Sequence, residues 1–108
     1  MDKETLRLNL ETELKRGVQT LAVLSLLKDK QYGYSLLEAL ALKNMNIEAG
    51  TLYPMLRRLE TQGLLESSWD LVEARPRKYY NLSQLGEEML DELMAVYKKM
   101  SKDLALWL

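Results

Sequence analysis

Apolar residues recur every four positions at Leu6, Leu10, Leu14 and Val18, then merge into the nearly continuous run Leu21-Ala22-Val23-Leu24 and Leu26-Leu27. This predicts a first helix, one-sided at its start and buried on most sides at its end, with Gly17 as a point of bending or breakage. The polar turn Lys28-Asp29-Lys30-Gln31 follows, and Tyr34, Leu37, Leu40 and Ala41 then share one face of a second helix ending near Lys43-Asn44. A third helix is expected from Thr51 to Gln62, with Leu52, Leu56 and Leu59 on its inner side and Gly63 at its end. The period then changes. Leu65–Trp69 and Lys78–Leu82 read as a hairpin separated by the charged stretch Asp70–Arg77. Ser83 caps a last long helix along which Leu85, Met89, Leu93, Val96, Met100, Leu104 and Trp107 recur every three or four residues. Its acids Glu87, Glu88, Asp91 and Glu92 come early and its bases Lys98, Lys99 and Lys102 late, which suits the helix dipole.

The expected fold class is therefore mainly α with a small β-hairpin: a winged helix-turn-helix with an N-terminal helix and a long C-terminal dimerisation helix. The 108 residues fit one domain, with 1–82 as the N-terminal helix plus winged unit and 83–108 as the C-terminal helix. Composition narrows the function. With no Cys and no His, thiol chemistry, imidazole catalysis and the usual zinc ligands are excluded, so no catalytic residue, metal or cofactor is expected. Asp2, Glu4, Glu11 and Glu13 interrupt the N-terminal leucines, so neither a signal peptide nor a membrane span is expected, and the protein is read as cytoplasmic.

The net charge of −1 argues against a nucleic-acid partner until the bases are placed one by one. In a winged helix the third helix enters the major groove. At 100° per residue, Gly50, Tyr53, Pro54, Arg57 and Thr61 fall opposite its leucines, with Arg58 at the flank. Arginine forks suit phosphates or the acceptor edge of guanine, and Thr and Tyr hydroxyls make shorter contacts. The competing reading is a solvated face whose arginines pair with Glu60. Arg75, Arg77 and Lys78 at the hairpin tip fit flanking phosphates, although charged turns are common for solubility alone. Tyr79 and Tyr80 point to opposite faces of their strand, so one is expected in the core.

Four motifs in order make the resemblance specific: Arg16-Gly17 before the Val18–Leu27 run, Tyr32-Gly33-Tyr34, Gly50-Thr51-Leu52-Tyr53-Pro54 through Gly63, and Pro76-Arg77-Lys78-Tyr79-Tyr80. Together they resemble the PadR family of winged-helix regulators, in the short form without a separate C-terminal domain. The resemblance implies a homodimeric repressor that binds double-stranded DNA at a near-palindromic operator. It places Thr51, Tyr53, Arg57 and Arg58 on the recognition helix, Tyr34 at the start of the helix before it, and Arg77 and Lys78 in the wing. It also implies a dimer made by the first and last helices and, in some members, a flat aromatic effector between subunits. The tryptophan that lines such a site in drug-binding relatives aligns with Tyr97, which either stacks on a ligand or fills the dimer interface. The wing tip lacks the glycines common in the family, and nothing in the last helix fixes a ligand.

A domain this small cannot cover a 25-residue apolar stripe about 38 Å long, so a partner subunit is expected to cover the rest. The interface candidates are Leu6, Leu10, Leu14, Leu93, Val96, Tyr97, Met100, Leu104 and Trp107. Met45, Met55, Met89, Met94 and Met100 read as gap-filling core residues rather than an adaptable binding surface. The main alternative is a winged-helix protein-interaction module without specific DNA binding. Catalysis would rest only on carboxylates such as Glu87, Asp91 and Glu92, which better fit a solvated first turn, so the chain is not expected to be an enzyme.

Overall fold

The computed structural model describes residues 1–71 and 74–108; Val72 and Glu73, within the charged stretch between the strands, lie outside the described residues. In chain order the elements are α1 (Lys3–Leu26), β1 (Gln31–Tyr32), α2 (Gly33–Leu42), α3 (Ala49–Thr61), β2 (Leu65–Asp70), β3 (Arg77–Leu82) and α4 (Gln84–Leu104). The sheet order is β1-β3-β2, with β3 antiparallel to both neighbours. No helix among the described residues is long and apolar enough to cross a membrane.

The termini of the helices follow from local chemistry. Asp2 accepts the Thr5 amide at 2.7 Å and starts α1, which runs through Gly17 as one helix because a single glycine costs only about 1 kcal/mol. α2 and α3 each stop on a left-handed residue, Asn44 at φ 64° and Gly63 at φ 81°. After each, the paired bonds of a Schellman turn absorb the last carbonyls, from Asn44 and Met45 to Ala41 and Leu40, and from Gly63 and Leu64 to Glu60 and Leu59. Ser83 caps α4 by accepting the Gly86 amide at 3.0 Å, while its hydroxyl donates to the Gly63 carbonyl at 2.6 Å.

The core is built from Val23, Leu24 and Leu27 of the α1 end, Leu36 and Leu40 of α2, and Leu52, Met55, Leu56 and Leu59 of α3. Tyr80 and Leu82 of β3 and Leu90 of α4 close it, and Met45 and Met94 pack at its margin. Burial of this apolar surface, at about 25 cal/mol per Å², is the main force holding the winged unit together. Two expectations need correction, and the expected hairpin is present as β2–β3 but gains a third strand. Gly17 does not interrupt α1. In α2, Leu40 is buried and Leu37 packs against the core as expected, but the row also includes buried Leu36, while Tyr34 is 60% exposed and Ala41 faces solvent. The hairpin is part of a three-stranded sheet, since Gln31 and Tyr32 pair with Tyr80 and Tyr79.

The long helices α1 and α4 lie side by side in opposite senses. Leu14 and Val18 share one groove with Leu93 and Met100, while Lys28 shares another with Glu87 and Leu90. α4 turns Gly86 and Leu90 into the domain and leaves Leu93, Val96, Tyr97, Met100 and Leu104 largely uncovered.

Candidate nucleic-acid interface

The inner leucines of α3 fix which side of it faces away from the domain, and that side carries Gly50, Thr51, Tyr53, Pro54, Arg57, Arg58 and Thr61, all exposed. Pro54 cannot donate to the Gly50 carbonyl four residues back, and Gly50 has no Cβ, so the backbone is unusually accessible there. Thr61 donates its hydroxyl to the Arg57 carbonyl at 2.9 Å. Tyr53 has a structural task too: its ring sits where a Cβ on Gly33 would be, so the glycine lets that ring lie against the start of α2. Tyr34, on the next position of α2, projects outward beside this contact.

Arg57 and Arg58 have no ion-pair partner among the described residues. Glu60 is the one acid inside α3, and it is engaged elsewhere. Its carboxylate accepts from Lys78 Nζ at 3.0 Å through Oε1 and from Ser67 Oγ through Oε2. The Ser67 bond first and the Lys78 contact second hold the Glu60 carboxyl below the ordinary glutamate range, and the Glu60 hydrogen bond raises the Lys78 amine above its own. Stability from Glu60 is therefore complete above the ordinary glutamate value and is lost as pH falls through its lowered one. Stability from Lys78 is complete below the ordinary lysine value and is lost as pH rises through its raised one. Glu60→Gln should thus lower Tm near neutral pH, with the deficit shrinking on acidification. Thermal melts across the acid range would contradict the pairing if the deficit grew.

The wing candidates separate in space. Arg75 is exposed in the bend between β2 and β3. Arg77 lays its guanidinium over the Tyr32 ring, 4.7 Å from its centroid, and Lys78 leans over Tyr80 at 5.1 Å on its way to Glu60. On the face opposite Tyr80, Tyr32 meets Tyr79 edge to face at 5.5 Å, and Lys30 sits 5.3 Å from the Tyr79 centroid. One member of the tyrosine pair is buried, as expected, and it is Tyr80. Sequence reasoning missed Ser67 and Lys30, and the cross-element partners of Glu60 and Tyr32, because those contacts join different elements and carry no local signal.

The second group of candidates forms an apolar face. Leu6, Leu10, Leu14, Leu93, Val96, Tyr97, Met100, Leu104 and Trp107 are all at least two-fifths exposed, with Leu14 at 77% and Trp107 at 84%. A groove of about 430 Å³ runs between α1 and α4, lined by Leu14, Gly17, Val18, Leu93, Val96, Tyr97 and Met100 among others. Tyr97 borders both this groove and a smaller one beside Ala22 and Met94.

Three helices, a strand-paired wing and a long closing helix define a winged helix-turn-helix protein. The transcriptional regulator PadR-like family matches residues 23–92, a span that contains every α3 and wing candidate. The chain has 39% identity to a PadR family transcriptional regulator from Eggerthella lenta, with a TM-score of 0.89 over 96% of this chain and 93% of that one. A PadR-like transcription factor from Bacteroides fragilis is 30% identical, with a TM-score of 0.78 over 93% and 99%. A transcriptional regulator of Mycobacterium tuberculosis is 30% identical over 84% of this chain and 86% of its own length. The chain belongs to the PadR-like family of transcriptional regulators.

Proposed function

We propose that this regulator is a repressor that binds a near-palindromic operator as a homodimer. The observation that carries the reading is the outward side of α3: two arginines without an acidic partner among the described residues, on a helix whose own glutamate is occupied by Lys78 and Ser67. Arg57 and Arg58 then read bases or phosphates in the major groove, with Thr51, Tyr53 and the Gly50–Pro54 backbone close to the duplex and Tyr34 at its sugar-phosphate edge. Arg75 and Arg77 accompany the wing to the flanking backbone. Pairing of the α1 and α4 apolar faces across a two-fold axis sets two recognition helices about 34 Å apart, one turn of DNA. An aromatic effector fits the groove beside Tyr97, where it would change that spacing.

Selection of bound sequences from a random DNA pool tests this directly, since a dimeric reader recovers two inverted half-sites. Recovery of no preferred sequence would favour a protein-interaction module. On the recovered operator, Arg57→Ala should cost about 1–3 kcal/mol and relax preference at one base pair. Arg75→Ala should instead weaken operator and random DNA alike and flatten the salt dependence by about 0.9 in slope per phosphate lost. Gel shifts at several salt concentrations separate the two, and equal behaviour of both variants would refute the assigned roles.

A further inference from the structure

We infer that Glu60 is a positioning residue: through Lys78 and Ser67 it fastens the wing to the recognition helix and holds its own carboxylate away from DNA phosphates. The inference rests on the DNA-binding role proposed above and assigns Lys78 a task other than phosphate contact. Among the ion pairs described here, Arg7 with Glu4 and Glu11, Lys15 with Glu11, and Lys99 with Asp103 all lie within one helix. The Lys78–Glu60 pair instead joins residues 18 apart on two elements, with both side chains only about 30% exposed.

The geometry makes it a two-point tie. Ser67 is on β2 and Lys78 on β3, so one carboxylate at the last turn of α3 reaches both strands of the wing. Ser67 pairs with Tyr80 and Lys78 with Trp69 in the β2–β3 ladder, so the groups that hold Glu60 share the face that carries the buried Tyr80. Lys78 is steered further by its position over the Tyr80 ring. A wing held at both strands keeps a fixed angle to α3, so one docking event places both elements on the duplex. The same tie removes the penalty of a free carboxylate one helical turn from Arg57, where it would repel the backbone or neutralise the arginine.

The test uses the 108-residue chain, with Trp107→Phe added for the fluorescence arm alone, which leaves Trp69, opposite Lys78 and 62% exposed, as its fluorophore. Glu60→Gln and Lys78→Met should each raise the mobility of Trp69 seen by time-resolved anisotropy without DNA, with Lys78→Arg restoring it. On operator DNA each should weaken binding about threefold to fivefold, and the double variant should be no weaker than either single one. The salt slope should stay at the parent value. A slope flattened by about 0.9 in Lys78→Met would show that the amine meets phosphate, and tighter binding by Glu60→Gln would show that its carboxylate faces DNA; either overturns the inference. Unchanged Trp69 mobility overturns the tie itself. Failure of the unsubstituted chain to bind any duplex would sink the proposed function instead, with the anisotropy still deciding whether the tie exists.

Discussion

Replacing Leu93 with aspartate is expected to yield a folded monomer that binds its operator about 100-fold or more weakly. The side chain is 40% exposed, and the residues that α4 turns into the domain are Gly86 and Leu90, so the winged core does not depend on it. It nevertheless sits in the apolar face shared with Leu14, Val18 and Met100. A carboxylate buried there by a partner subunit would have no cation among the residues lining this groove, and burying a charge without one is costly. If the proposed dimer is lost, its two recognition helices no longer act as one ligand, and the loss of linkage alone is about 10² to 10⁴ in affinity. Analytical ultracentrifugation with operator titration checks both halves. A variant that remains dimeric, or a monomer with undiminished affinity, would remove the basis for a dimeric reader.

Much of this architecture is legible in the sequence where periodicity is long. Leu52, Leu56 and Leu59 have one helical row available, and the structure places α3 within two residues of the expected ends with that row buried. In α2, Leu36, Leu37, Leu40 and Ala41 offer overlapping rows that a repeat of four cannot separate; Leu36 and Leu40 are buried, Leu37 packs at the core margin and Ala41 faces solvent. Gly33, buried at the start of the helix, leaves the space that the Tyr53 ring occupies. β1 has only two residues, too short for any alternation, and it exists because β3 offers Tyr79 and Tyr80 as partners. Glu60 illustrates a further limit: the sequence places it within reach of Arg57 and Arg58, yet the sheet brings Lys78 from 18 residues away to the same carboxylate. Charge pairing between elements follows from the fold and leaves no spacing to read. It also explains how a chain of net charge −1 presents a basic helix face, since the local balance depends on which acids are already occupied.

The second large effect is expected at Gly86. A Cβ there would overlap the Leu64 carbonyl oxygen and stand 3.2 Å from Leu82 Cδ2. Neither the backbone of Leu64 nor the start of α4 can move aside cheaply. The Ser83 amide donates to that same Leu64 oxygen at 3.0 Å, and the Ser83 hydroxyl bridges the Gly63 carbonyl and the Gly86 amide. Gly86→Ala should therefore cost about 1–3 kcal/mol, as for overpacking against a rigid neighbour, with Tm falling by about 4 °C or more per kcal/mol at fixed protomer concentration. Gly33→Ala provides the contrast, because its obstacle is the far end of the Tyr53 side chain, which can swing away. That variant should lose less Tm and more DNA affinity, since the displaced ring lies on the outward side of α3. Calorimetry of both variants, with operator titration, reads the difference. An unchanged Tm for Gly86→Ala would mean that α4 does not enter the domain this close to Leu64, and the placement of its Leu93–Met100 face would fall with it.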